Sequence, residues 1–320
     1  MLQSRFGLSM VRMCVLILVA GMAYGQEFPS KPVRLVVAAP GGGSDFTARI
    51  LAQGLTPNLG QQVIVDYRGG GIQSIEYVQK SPPDGYTLHI TGSTMWVLPL
   101  VNKVPYDAEK DFMPITLIDM SPSVMAVHPS VPVKSVEELI ALAKARPGEL
   151  NFSSSPAGGS GHLAGELLKH MAGVNIIWVP YKSAGLAITA LIAGEVHLTT
   201  NDASLMMPHV KAGRVRALGV TTAQPSPLAP GLPTIMSTGL PGYEAAGRTG
   251  IWAPAKTPDA VIRKLNQELV RVLNQPDVKE KFLSAGSETV GSTPEQFAAL
   301  IRSEIVKVGK LVKDAGIRAN

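Results

Sequence analysis

The sequence predicts an α/β protein with mostly parallel strands and enough length for two domains. Its 320 residues, of which 45% are hydrophobic and 17% charged, have the composition of an ordinary globular protein. Short β-rich runs alternate with helical stretches, which is the pattern of parallel α/β sheets. Two strand–loop–helix units of the same kind occur, one at 33–55 and the other at 150–168.

The predicted elements are bounded by capping and turn signals. A capping box of Ser135 and Glu138 opens one helix, and Pro147-Gly148 ends it. Two long C-terminal helices begin at Thr257-Pro258 and Thr293-Pro294, where an N-cap residue precedes a proline. The predicted strands cover 33–38, 63–66, 86–91, 150–153, 175–179 and 196–200. The other predicted helices cover 45–58, 161–171 and 184–193.

The first 25 residues have the features of a secretory signal. Arg5 and Arg12 precede an apolar run over 13–23, which is too short to span a bilayer as a mature helix. The small residues before Gln26 place a cleavage site between Gly25 and Gln26. An uncleaved anchor helix is the alternative. No later stretch is long and apolar enough to span a membrane, so we predict a periplasmic protein with no stable membrane insertion after cleavage.

Cysteine content and charge exclude several classes of protein. Cleavage would remove Cys14, the only cysteine, so the mature chain would have no disulfide, thiol nucleophile or thiolate metal ligand. The formal net charge of +5 includes two arginines of the signal, and no Lys/Arg run is interleaved with aromatic residues. These features argue against a nucleic-acid partner.

The two strand–loop–helix units are candidate anion-binding sites. In each, a strand ends in glycines and hydroxyl residues, at 40–44 and 154–160, and a helix begins there. The unpaired N–H groups and the dipole of a helix start favour negative charge, and glycines let the backbone approach a ligand closely. Either loop alone could be a tight turn. Two such loops that face each other would fit a small carboxylate between them.

A series of motifs covers almost the whole chain after the signal. They include FPSKPVRLVV at 28–37, PGGGSD at 40–45, PDGYTL at 83–88, VPYD at 104–107, HLAGE at 162–166, VPYK at 179–182, PHVKAG at 208–213 and LPGY at 240–243. In this series the chain resembles the substrate-binding receptors of tripartite tricarboxylate transporters, the Bug family. The resemblance implies a two-domain Venus-flytrap receptor that has a mixed, mostly parallel sheet in each domain and two interdomain crossovers, near 120–125 and 244–250.

The same resemblance implies domain boundaries and a set of ligand-binding residues. Domain 1 would cover 26–123 plus 247–320, and domain 2 would cover 124–246. The ligand's carboxylate would be held between loops of the two domains. The matching residues are Gly41, Gly42, Gly43, Ser44, Asp45, Ser93 and Thr94 in domain 1 and Ser154, Ser155, Gly158, Gly159, Ser160 and His162 in domain 2, with Tyr181 at the mouth of domain 2.

The chain departs from the family pattern near the expected cleft. A shortened stretch at 67–70 follows the second strand, a pocket-lining Asp-Asn pair is reversed to Asn201-Asp202, and Arg248 stands where many members have aromatic residues. Arg248 could pair with a second ligand carboxylate, or it could be a surface or hinge arginine. Trp96 could stack on an aromatic ligand, or it could pack in the core. The resulting hypothesis is a dicarboxylate ligand, with an aromatic dicarboxylate as an option.

The sequence predicts neither a catalytic site nor a metal site, and no cofactor is expected. His162, Glu166 and His170 lie on one face of a predicted helix, but a single straight helix rarely supplies three ligands to one ion. GGSGH at 158–162 lacks the Gly-x-Ser-x-Gly elbow, so a secreted hydrolase is a remote alternative. Neither glycine loop matches a P-loop or a dinucleotide fingerprint.

The predicted mechanism is closure of two domains around a small organic carboxylate. The expected partners are that ligand and the membrane permease subunits of the transporter, which other chains would supply. The receptor itself is expected to be a monomer. A periplasmic sensor that docks on a membrane signalling protein is the alternative.

Overall fold

The computed structural model describes residues 28–41, 43–154 and 160–315. The predicted signal over 1–25, its cleavage position and Cys14 lie outside these residues. Four of the predicted ligand-binding residues also lie outside them, namely Gly42, Ser155, Gly158 and Gly159.

Strands and helices alternate through most of the described chain. The strands are β1 (Val33–Val37), β2 (Val63–Tyr67), β3 (Thr87–Gly92), β4 (Phe112–Val127), β5 (Asn151–Ser154), β6 (Ile177–Pro180), β7 (Leu198–Asp202), β8 (Arg216–Val220), β9 (Ala246–Pro254) and β10 (Glu288–Thr289). The helices are α1 (Gly43–Leu59), α2 (Gly71–Gln79), α3 (Thr94–Val101), α4 (Val136–Ala145), α5 (Ser160–Ala172), α6 (Ala184–Ile192), α7 (Ala203–Lys211), α8 (Asp259–Leu273), α9 (Pro276–Ser284) and α10 (Pro294–Ala315), with a 3₁₀ turn at Met236–Thr238.

The first sheet has the strand order β2-β1-β3-β9-β4, with β10 paired to β4. Strand β1 is parallel to both β2 and β3, whereas β9 is antiparallel to β3 and to β4. Alternate residues of β1 enter opposite cores: Val33 and Leu35 pack with α1 and α8, and Val36 packs on the other face. From Leu35 to Val37 the strand is buried on both faces, and all three residues are apolar, whereas Arg34 near its start is exposed.

The second sheet continues from the same long strand. Residues 123–127 of β4 pair antiparallel with β7 on one side and with β8 on the other. Strand β5 is parallel to β7 and to β6, which completes the order β8-β4-β7-β5-β6. Both sheets are therefore mixed, as predicted, and helices cover their faces.

Strands β4 and β9 form the connection between the two sheets. Residues 112–122 of β4 pair with β9 in the first sheet, and residues 123–127 pair in the second. Strand β9 begins at Ala246, so the chain returns to the first sheet at that point. This confirms the predicted two-domain α/β architecture with two crossovers. The domain boundaries after residues 123 and 246 remain a proposal; the strand pairing places each change of sheet one residue earlier, after 122 and after 245.

Helix α10 packs against the first sheet and also contacts α5 of the second domain. On the first sheet, Phe297 lies against Trp252 and Trp96, with ring centroids 4.9 and 6.2 Å away. Gly250 lies directly beneath Phe297, where a Cβ atom would be 2.2 Å from the ring. The C-terminal helix is therefore fixed by an aromatic cluster on one domain and contacts the other.

The capping signals are confirmed in part. The Ser135 hydroxyl accepts the Glu138 N–H at 3.1 Å, and the Thr293 hydroxyl accepts the Gln296 N–H at 3.2 Å. At the other predicted start, α8 begins at Asp259 after Pro258, and the Thr257 hydroxyl instead donates to the carbonyl of Pro254. Thr257 is therefore not the N-cap. No helix in the described ranges has the combination of length and hydropathy needed to cross a bilayer.

Candidate functional site

A cavity of about 580 Å³ lies between elements of the two sheets. Its walls come from the start of α3 and from β9 on the first sheet, from α5 and the end of β7 on the second, and from α10. Ser121 and Gly247, on the two crossover strands, also line it. A cavity of this size lies within the range of small-molecule sites, roughly 300–1,000 Å³.

Three helices begin at this cavity. Ser93 and Thr94 stand at the start of α3, Ser160 is the first residue of α5, and Asp202 directly precedes α7. The first N–H groups of a helix have no partner inside the helix, and the helix dipole adds partial positive charge beside them. The cavity therefore combines serine and threonine hydroxyls with helix starts from both sheets, an arrangement that favours an anion.

The backbone of the second domain sets the position of α5. Gly161 lies against β7, where a Cβ atom would be 2.5 Å from the carbonyl oxygen of Thr200. One turn later, a Cβ atom at Gly165 would be 2.2 Å from the Phe152 ring. Both glycines let α5 approach the sheet closely, and this places Ser160 at the cavity.

Replacing Gly161 with alanine is expected to move the start of α5 and weaken ligand binding. The added methyl group meets a backbone carbonyl that cannot rotate away, so we expect a loss of about 2 kcal/mol in the free energy of unfolding. Gly185 is the matched control because it lies in α6 with open space around its Cα. Gly185→Ala should leave stability unchanged or raise it by up to about 1 kcal/mol. Urea denaturation and calorimetric titration measure both effects; equal stability of the two variants would contradict the expectation.

The glycine loop of domain 1 is held by its own residues. The Asp45 carboxylate is buried and accepts hydrogen bonds from the Gly41 N–H at 2.8 Å, the Tyr67 hydroxyl at 2.7 Å and Arg49 Nε at 2.9 Å. These bonds, chiefly the one from Gly41, hold the pKa of Asp45 below its ordinary value. Among the described residues, this loop does not line the cavity described above, and this holds for Gly41, Gly43, Ser44 and Asp45.

Trp96 and His162 lie in packed surroundings and do not line the cavity. Trp96 is 1% exposed and contacts Trp252 and Phe297, so its side chain belongs to the core, and the structure gives no support to stacking on an aromatic ligand. His162 stacks on Trp178 with ring centroids 3.9 Å apart. Burial lowers the pKa of His162, which favours the neutral ring.

The remaining residues predicted for domain 2 divide between the cavity and its surroundings. Asn201 is buried in β7 and donates to the Thr199 hydroxyl at 2.9 Å. The Ser154 hydroxyl accepts a hydrogen bond from the Trp178 indole at 2.8 Å, and the Tyr181 hydroxyl donates to Glu195 at 3.5 Å. Asp202 lines the cavity, and burial raises its pKa, although a hydrogen bond with Ser123 opposes this.

Arg248 lines the cavity but is held by two carboxylates of the protein. Its guanidinium donates to Glu244 and, at 3.4 Å, to Glu304, and its side chain is only 3% exposed. The amine of Lys307 donates to the carbonyl of Glu244, and burial lowers the pKa of this lysine. The sequence suggested that Arg248 pairs with a second carboxylate of the ligand. In this structure its guanidinium is already bonded to Glu244 and Glu304.

Sequence reasoning missed most of the charged and apolar wall of the cavity. Glu244, Glu304 and Lys307 were not predicted, nor were the apolar lining residues Val97, Leu98, Val101, Leu163, Leu167, Val308 and Leu311. On α10, Glu304, Lys307, Val308 and Leu311 follow helical spacing. That signal shows which residues share a face, but it does not show what the face contacts.

The described residues contain no group of three histidine, cysteine, aspartate or glutamate side chains arranged to hold a metal ion. His162 and Glu166 approach each other at 3.9 Å, whereas His170 lies 3.7 Å from Asp314 of α10. His170 therefore has a different neighbour from the pair formed by His162 and Glu166.

Comparison with known proteins gives the chain its family. Residues 47–317 match the model of the tripartite tricarboxylate transporter family receptor. The chain belongs to this receptor family. The receptor is 32% identical over 306 residues to BugT of Bordetella pertussis, a match that covers 94% of each chain. The family is one of solute-binding receptors, as the resemblance implied.

Two solved structures of similar proteins hold ligands. A protein from Rhodopseudomonas palustris, solved with adipate, is 36% identical to the receptor and has a TM-score of 0.71, with 91% of this chain and 99% of that one covered. MatC from Rhodopseudomonas palustris, with bound malate, is 27% identical and has a TM-score of 0.67, with 89% of this chain and 100% of that one covered. Both proteins bind carboxylates, and both share the two-domain fold.

Proposed function

We propose that this receptor captures a small organic carboxylate in the cleft between its two domains and presents it to the permease of a tripartite tricarboxylate-type transporter. The observation that carries the proposal is the meeting of three helix starts, from both sheets, at one cavity. A carboxylate there would accept hydrogen bonds from both domains at once. It would bind the closed form better than the open form and so shift the population toward closure.

The residues proposed to contact the carboxylate are those at the helix starts that line the cavity. They are Ser93 and Thr94 from domain 1 and Ser160 and Asp202 from domain 2. The loop at 154–160 remains part of the proposal because it leads into α5, whose first residue, Ser160, lines the cavity. The loop at 41–45 is included on the family resemblance alone. The proposal includes no catalytic role.

A dicarboxylate is the proposed ligand type. The support comes from the two similar receptors above, which hold adipate and malate, both of them dicarboxylates. The engagement of Arg248 with Glu244 and Glu304 means that a second carboxylate would have to be held by other groups of the cavity or displace one of these glutamates. The aromatic option has no support from Trp96, which lies in the core.

Export to the periplasm is part of the same proposal. It is supported by the signal-like features of the first 25 residues, with cleavage near Gly25/Gln26, and by the family, whose receptors serve a membrane transporter. Because a receptor of this kind has to reach the permease with its ligand, we propose a soluble periplasmic monomer as the working form.

Thr94 offers a direct test of the proposed function. Calorimetric titration of the purified protein with succinate, adipate and malate, each compared with a monocarboxylate of equal length, should show binding of at least one dicarboxylate. Thr94→Val should then weaken binding at least tenfold, because a hydrogen bond to a charged group contributes roughly 1.5–3 kcal/mol. Thr189→Val on the exposed side of α6 is the matched control and should bind as the wild type does. Absence of binding to every carboxylate would overturn the proposal; tighter binding of the monocarboxylates would overturn the dicarboxylate preference.

A further inference from the structure

The cavity has a polar end and an apolar end. Its polar end is at Ser93, Thr94 and Ser160, where α3 and α5 begin. Further along both helices the side chains that line the cavity are apolar. These are Val97, Leu98 and Val101 on α3 and Leu163 and Leu167 on α5. The C-terminal helix α10 adds Val308 and Leu311.

The apolar lining extends well beyond the length of a carboxylate group. Val101 follows Thr94 by seven positions, and Leu167 follows Ser160 by seven. At a rise of about 1.5 Å per residue, each helix carries its lining about 10 Å away from the polar end. A short acid bound at the helix starts would leave this lining without a ligand contact.

Of the five described charged side chains that line the cavity, four compensate one another and the fifth is Asp202. Arg248 donates to Glu244 and Glu304, and Lys307 donates to the backbone carbonyl of Glu244. Two cationic and two anionic side chains thus form one network. Selection between ligands by the part of the molecule beyond the carboxylate therefore depends on the apolar side chains.

Both domains contribute to the apolar end. Helices α3 and α10 pack on the first sheet, whereas α5 packs on the second. An aliphatic chain placed between them would be removed from water only while the two domains are close together. Burial of its apolar surface would therefore stabilise the closed form relative to the open form.

We propose that the apolar end of this cavity selects carboxylates that carry an extended aliphatic body, with the carboxylate at the helix starts and the chain between α3, α5 and α10. The inference rests on the proposed function, because the helix starts have to bind the carboxylate. The inference adds that short acids such as succinate and butyrate bind weakly. Suberate has the charge of succinate and octanoate that of butyrate, and each is expected to bind more tightly than its shorter counterpart.

The experiment is calorimetric titration of the purified protein with two charge-matched pairs, succinate against suberate and butyrate against octanoate. A fully buried methylene corresponds to a gain of about fourfold in affinity. We expect the longer member to bind at least tenfold more tightly in every pair that binds. If short acids bind as tightly as long ones, this inference fails and the carboxylate receptor stands. If no acid binds, the proposed function fails as well.

Variants that fill the apolar end test the location of the chain. Val101→Phe, or Leu167→Phe if the first variant does not fold, should reduce the affinity for the longer acid at least tenfold and leave the affinity for the shorter acid unchanged. Leu186→Phe is the matched control because this leucine is exposed on α6, away from the cavity. Thermal unfolding checks that each variant is folded. Wild-type affinity for the longer acids in the folded cavity variant would overturn the inference.

Discussion

Replacing Arg248 with methionine is expected to lower the free energy of unfolding by about 3 kcal/mol. The guanidinium is almost fully buried and donates to Glu244 and Glu304, whose side chains are 30% and 14% exposed. Removal of one partner from a buried ion pair leaves the remaining charge uncompensated and costs roughly 3–5 kcal/mol. We take the lower end because both glutamates keep some contact with solvent.

A matched arginine separates this effect from a general loss of charge. Arg271 on α8 pairs with Glu268 at 3.2 Å, but its own side chain is 66% exposed. Arg271→Met should change the free energy of unfolding by less than about 1 kcal/mol, as is usual for surface ion pairs. Urea denaturation of both variants measures the difference. Equal losses in the free energy of unfolding would show that the buried network of Arg248 contributes no more to stability than a surface ion pair.

Asp119 is expected to make the stability of the protein fall as the pH rises from about 4 to about 7. Its carboxyl group is buried in β4, and burial raises its pKa from the ordinary value of 3.8 to about 7. The hydroxyls of Thr249 and Thr47, at β9 and α1, oppose the shift but do not cancel it. In that pH range the folded protein keeps a proton that the unfolded chain has lost, so each pH unit lowers stability by up to about 1.4 kcal/mol.

The variant Asp119→Asn should remove this part of the pH dependence. The amide keeps the shape of the protonated carboxyl group and has no proton to lose, so its stability should be flatter between pH 4 and 7. Asp277→Asn is the control, since Asp277 is exposed on α9 and Lys281 holds its pKa below the ordinary value. Urea denaturation at several pH values provides the measurement. Parallel curves for the wild type and Asp119→Asn would contradict the expectation.

Local sequence determined the element types and several of their ends. The hydroxyls of Ser135 and Thr293 accept the N–H of the residue three positions on, as predicted for an N-cap, but the Glu138 carboxylate accepts the Lys134 N–H and not the Ser135 N–H that a capping box requires. Helices α2 and α7 and strands β8 and β10 were not predicted. Neither were helix α3 and helix α9. The first is a short apolar segment that contains Pro99, and the second is separated from α8 by only two residues, so neither has a distinct periodic signal.

For the candidate site, the sequence by itself determined the family and, of the three helix starts at the cavity, only that of α5, because glycines and hydroxyl residues at a strand end are local features. Only the tertiary structure decided which side chains meet there. It placed Trp96 in the core, joined Arg248 to glutamates that are 4 and 56 positions away, and brought α10 to the cavity. Contacts between residues so distant in the chain depend on how the two sheets and their helices pack, and a single sequence contains no periodicity that reports this packing.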